Sequence, residues 1–90
     1  MNIDAVLIKN DGFTVRAMGD ETLILDPDGS AIHVADEVGG FIYRQVDGAR
    51  SLSDIVGAIM DEYDIDRATA ESDLLAYAAE LVSQNILRTA

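Results

Sequence analysis

Between Ala31 and Asp54 the hydrophobic period of this chain changes from two to 3.6 within a few residues, and each change carries its own stop signal. Ala31-Ile-His-Val-Ala35 reads as a strand and ends at Asp36, whose carboxylate can cap the free N–H groups of a helix start. Glu37 then sits favourably at the positive end of the helix dipole. Val38, Phe41, Ile42 and Val46 recur at helical spacing, and Asp47-Gly48 closes the helix, because glycine accepts the left-handed backbone beyond a C-terminus. Ser51-Leu-Ser-Asp54 opens a second helix as a capping box, with Asp in place of the longer Glu. A strand that runs straight into capped helices demands an architecture in which a sheet stands beside a helical bundle.

Upstream, Phe13-Thr-Val-Arg-Ala-Met18 alternates, with Phe13, Val15 and Ala17 on one side, and predicts a half-buried strand. Thr22-Leu-Ile-Leu25 is apolar on both faces, as a central strand is. Asp26-Pro-Asp-Gly29 is a turn: proline presets φ and glycine accepts a positive one. Residues 30–35 return antiparallel, with Ile32 and Val34 as the expected core-facing positions and His33 exposed. The result is a three-stranded antiparallel β-meander with edges at 13–18 and 30–35. Neither proline nor lysine guards residues 30–35, so an open edge is expected there. Residues 1–12 read as an N-terminal arm, with strand-like content at Ala5-Val-Leu-Ile8, and residues 13–90 as a single domain.

Downstream, Leu52, Ile55, Val56, Ile59, Met60 and Tyr63 form a strong amphipathic helix, and Asp64-Ile-Asp66 links it to a third helix over about 67–85. In that helix Ala70, Leu74, Tyr77, Ala78 and Leu81 make one stripe, flanked by Leu75, Ala79 and Val82. The apolar arc spans about 200°, wider than the ~100° that one buried face needs. The Gly39-Gly40 pair weakens the first helix by about 1 kcal/mol per glycine relative to alanine. A close backbone contact is the expected reason for keeping it.

The charge excludes several functions. Seventeen acids against six bases give −11, and the bases are scattered, whereas DNA-binding domains need a basic face to displace counterions. Such a chain repels nucleic acid and anionic membranes alike. There is no cysteine, hence no disulfide framework or thiolate metal site, and no apolar run near the roughly 18 residues that span a bilayer. The start lacks a signal peptide's basic and apolar regions, so a cytoplasmic location is expected. A lone His33 makes neither a metal site nor a convincing general base. Nucleophile elbows, zinc-binding motifs and phosphate loops are missing. These features point away from an enzyme, and no cofactor is expected.

Val34-Ala-Asp-Glu-Val-Gly-Gly-Phe-Ile-Tyr-Arg-Gln-Val-Asp-Gly48, with Ser51-Leu-Ser-Asp-Ile55, Glu62-Tyr-Asp-Ile65, Asp73-Leu74, Tyr77, Leu81 and Ile86-Leu87, resembles the PqqD-like family over roughly 13–88. The family often has Leu-Asn where this chain has Ala35-Asp36, which keeps the corner and shrinks one apolar contact. The resemblance implies an α+β, winged-helix-like domain of three strands then three helices. It would serve as a non-catalytic recognition element that takes the leader of a ribosomally made precursor peptide as an added strand. The implied partners are that peptide and a modifying enzyme such as a radical SAM protein, in pyrroloquinoline quinone or related peptide biosynthesis. By the same analogy the leader lies along Ser30, Ala31, Ile32, His33, Val34 and Ala35, with side chains meeting Asp73, Leu74, Tyr77, Ala78 and Leu81. A winged-helix nucleic-acid-binding domain and an acidic protein-interaction module are the rival readings. An exposed edge also permits homodimers by strand pairing.

Overall fold

The computed structural model describes residues 1–90 as β1 (Leu7–Lys9), β2 (Thr14–Met18), β3 (Glu21–Leu25), β4 (Ile32–Ala35), α1 (Glu37–Gln45), α2 (Leu52–Glu62), α3 (Arg67–Ser83) and β5 (Leu87–Thr89). Strands β2, β3 and β4 form the expected antiparallel meander with β3 central, and three helices follow it. The β3–β4 turn closes through a bond from the Gly29 amide to the Asp26 carbonyl at 3.0 Å, with Gly29 at φ 73°.

Each helix begins where a side-chain oxygen meets its free amides. Asp36 accepts from the Gly39 N–H at 2.7 Å. Ser51 and Asp54 make both bonds of the capping box, at 3.1 and 3.0 Å. Asp66 caps α3 by accepting from the Thr69 N–H at 2.7 Å, a role the link reading of residues 64–66 missed. The core lies between the helices: Leu52, Ile55, Val56 and Ile59 of α2 meet Ala70, Leu74, Ala78 and Leu81 of α3, all buried, with Ile24 and Ile42 closing one end.

Several expectations need correction. Every residue of β2 is exposed, so that strand is not half-buried; Phe13 just before it supplies the contact with the core. The phase of β4 is inverted. Ile32 and Val34 are 59% and 60% exposed, while Ala35 is buried and His33 turns inward. His33 finds a partner there, Nε2 lying 2.9 Å from Asp26 Oδ1. The third helix stops at Ser83, and Asn85 takes a left-handed φ of 62° that lets the Ile86 amide return to the Leu81 carbonyl at 3.0 Å.

That reversal sends the chain into β5, which pairs antiparallel with β1 as a separate two-stranded sheet. The stretch read as an arm is therefore docked. Leu7 is 1% exposed within the main core. The Leu52 and Ser53 amides donate to the carbonyls of Ala5 and Ile3, and Lys9 stands 4.6 Å from the Tyr43 ring centre. No helix is long and apolar enough to cross a membrane.

Candidate functional site

In an antiparallel pair, backbone groups point alternately toward and away from the partner strand. The Asp26 amide donates to the Ala31 carbonyl at 3.0 Å, and the register continues with Ile24 opposite His33 and Thr22 opposite Ala35. Ala31, His33 and Ala35 therefore spend their backbone groups on β3. The amides and carbonyls of Ile32 and Val34 point the other way, out of the sheet at the edge that β4 forms. Their side chains project from the outer face, beside Leu25 and Leu23 respectively. The strand thus offers unpaired backbone and apolar surface on the same two residues.

At its C-terminal end β4 leads directly into a cleft. Asp36 caps α1 there, and Gly39 makes the close approach that the glycine pair implied. A Cβ on Gly39 would lie 2.9 Å from Tyr77 Oη and 3.2 Å from Asp36 Oδ1. Gly40 faces Thr22 in the same way, with the Arg44 guanidinium donating to the Thr22 hydroxyl at 3.4 Å. Glycines at both positions let α1 lie against α3 on one side and β3 on the other. Burial, helped by Glu80 and Asp36, pushes the Tyr77 phenol up to about 12, so the hydroxyl stays protonated and available as a donor.

The cleft measures about 470 Å³. Its walls are Val38, Ile42, Ile59, Tyr63, Ile65 and Tyr77, and three carboxylates, Asp36, Asp64 and Asp73, complete the lining without any Lys, Arg or His. Phe41 meets Tyr63 edge-to-face at 5.5 Å and steadies that wall. The Tyr63 phenol is raised by burial and then by Glu37 and Glu62.

The expected site residues separate into three groups. Asp73 and Tyr77 line the cleft. Leu74, Ala78 and Leu81 do not: they are 0%, 1% and 4% exposed and serve the core. Ser30 and Ala31 precede β4, and Ile32–Ala35 form it, but none of these residues lines the cleft, which starts one residue later at Asp36. The cleft lies among α1, the end of α2 and α3 rather than along the length of β4. Asp36, Gly39, Ile42 and Ile59 were read as cap or helix residues and not as lining, and Val38, Tyr63, Asp64 and Ile65 were likewise outside the expected set. Their signals were faint: Val38 lies at the edge of the α1 apolar stripe, and Tyr63 and Ile65 frame a short interhelical link.

A family model, coenzyme PQQ synthesis protein D, matches residues 21–87. The chain belongs to the PqqD family. The matched region of this PqqD-family protein runs from β3 to the start of β5 and so contains the β4 edge and the whole cleft. Two solved structures are similar in fold. TbiB1 in complex with the TbiA(beta) leader peptide is 28% identical with a TM-score of 0.79, covering 89% of this chain and 93% of that one. A lasso peptide synthetase B1 complexed with the leader peptide is 17% identical with a TM-score of 0.80, covering 91% of this chain and 96% of that one. A comparison with curated protein sequences gives no match.

Proposed function

We propose that this PqqD-family protein is a non-catalytic carrier that binds the leader of a precursor peptide as a strand added to β4 and presents the remainder to a modifying enzyme. The observation that carries the reading is the outward-facing backbone of Ile32 and Val34, ending at an apolar cleft. Strand addition satisfies backbone groups on both partners, while side-chain pockets supply selectivity. Four or five such bonds at about 0.5–1.5 kcal/mol each, with one side chain in the cleft, can offset the ordering of a flexible leader. A dissociation constant in the micromolar range, about −8 kcal/mol, suits a carrier that must release its cargo.

The similarity to two proteins solved with leader peptides supports the same reading. The pathway, pyrroloquinoline quinone or another modified peptide, and the enzyme, a radical SAM protein or another class, belong to this proposal as alternatives. A nucleic-acid role fails on charge. Within α3 the single base Arg67 already pairs with Glu71 at 3.0 Å, leaving Asp73 and Glu80 to face a phosphate backbone.

Backbone NMR of the labelled chain, titrated with short peptides encoded beside its gene, tests the proposal. Shift changes concentrated at residues 32–38 and at Asp73 and Tyr77 are expected. Changes confined to the β1–β5 sheet, or none with any such peptide, would overturn it.

A further inference from the structure

The cleft joins an apolar wall to a set of carboxylates. Its walls are apolar, yet its lining includes Asp36, Asp64 and Asp73 with no basic residue among them. The Arg67–Glu71 ion pair and the His33–Asp26 hydrogen bond lie elsewhere, and Arg44 is directed to the Thr22 hydroxyl. Asp36 has a structural duty as the α1 cap. Asp64 and Asp73 cap no helix, because Asp66 caps α3 and Asp73 lies within it. Carboxylates beside an apolar wall lose part of their hydration when a ligand covers them, and an incoming cation restores what is lost. An anionic or purely apolar occupant would leave them uncompensated.

We infer that the cleft selects a leader segment in which a Lys or Arg stands two positions from a bulky apolar residue, on the same face of the added strand. The apolar side chain fills the space between Val38, Tyr63 and Tyr77, and the cationic end lies among the carboxylates of Asp64 and Asp73. This rests on the strand-addition reading and adds to it a chemical class for the leader. On the outer face, Ile32 and Val34 stand beside Leu25 and Leu23, and the nearest charge across the sheet is the base Arg16, opposite Leu23. A one-residue slip of a strand exchanges its two faces, so the basic residue also fixes register. In the correct register it meets Asp64 and Asp73; in the slipped one it faces aliphatic side chains.

The test is selection of random bead-displayed peptides on three proteins. These are the native chain, D64N/D73N, and D11N/D20N, which has the same charge as the second but is altered in turns outside the cleft. Peptides retained by the native chain should carry a Lys or Arg two positions from a bulky apolar residue. That enrichment should persist in D11N/D20N and fall about 5- to 10-fold in D64N/D73N, with apolar enrichment unchanged. Circular dichroism verifies the fold of each variant, and D73N alone gives the same contrast at smaller size should the double variant unfold. An equal fall in D11N/D20N and D64N/D73N would assign the effect to net charge, and undiminished basic enrichment in D64N/D73N would place it outside the cleft; either would overturn the inference. Apolar enrichment without basic residues would overturn it while leaving strand addition intact. Val34→Pro, carried through the same selection as a fourth protein, should retain fewer peptides, and native retention no better than its own would overturn both.

Discussion

Gly39 lies against the phenol end of Tyr77, so close that a β-carbon on the glycine would stand 2.9 Å from the phenolic oxygen and 3.0 Å from the carbon bearing it. That contact joins the start of α1 to the middle of α3 and forms one wall of the cleft. Alanine at position 39 improves helix propensity by about 1 kcal/mol, but forcing the ring aside costs typically 1–3 kcal/mol. Gly39→Ala is therefore expected to lower stability by about 1 kcal/mol and to weaken peptide binding more than that loss explains. Adding Tyr77→Phe removes the nearest atom and should recover part of the stability. A double-mutant cycle by urea denaturation measures the coupling, and strict additivity would contradict the contact.

Two neighbouring prolines separate the backbone roles of β4. Proline is tolerated on an edge strand where its missing N–H faced outward, and not where it faced the ladder. Val34→Pro should stay folded and lose peptide affinity at least tenfold. His33→Pro should destabilise the meander by roughly 2–3 kcal/mol, since it removes a ladder amide opposite Ile24 together with the imidazole contact to Asp26. Thermal melts and peptide titrations read the two effects. Equal peptide binding by Val34→Pro and the native chain would refute strand addition.

These two cases mark where sequence reading succeeded and where it stopped. The Asp36 and Ser51 caps and the Asp26–Gly29 turn are local features, legible because cause and effect lie within a few residues; the glycine pair announces a close contact, but its partners Tyr77 and Thr22 are distant in sequence. The parity of β4 was not. Ile32 and Val34 are more apolar than His33 and Ala35, so hydrophobicity places them inside. The fold does the reverse because Asp26 offers His33 an inward partner and α1 packs against the small Ala35. The β1–β5 pairing brings Leu7 opposite Thr89, and three-residue strands carry too few alternations to announce such a partner. The cleft draws on residues from three helices and a link, and no single stretch of sequence reveals that convergence.

Alkaline pH should loosen the cleft before it unfolds the helices. The Tyr77 phenol is raised to about 12, above the ~10 of an unfolded tyrosine, so the folded state holds this proton more tightly. Its stabilising contribution is complete below pH ~10 and is lost as pH rises toward 12. Tyr43 is raised too, by burial, and adds to the loss in the same direction. Because Tyr77 is only half-buried, the contribution is discounted for solvent to about 1–2 kcal/mol. Urea midpoints measured between pH 8 and 12, beside phenolate absorbance, should fall across that window and fall less in Tyr77→Phe. In acid, Asp66 is held low by the Thr69 amide, so its capping contribution is present above the ordinary carboxylate range and lost as pH drops through it.

Leu74 and Asp73 are adjacent on α3 but face different surroundings, and substituting each should divide stability from recognition. Leu74 is fully buried against α2, and truncation to alanine leaves a cavity that the packed helices cannot collapse, at a cost of about 2–5 kcal/mol. That is a large share of the stability of a small domain, so Leu74→Ala should lower the melting temperature by ten degrees or more. Peptide affinity at low temperature should persist in whatever fraction remains folded. Asp73 is exposed and lines the cleft, so Asp73→Asn should leave the melt within about 0.5 kcal/mol of the native chain while changing which peptides bind. Calorimetric melts paired with titration of one fixed peptide give both readings. A stability loss at Asp73 matching that at Leu74 would mean that α3 does not present Asp73 to the cleft as described.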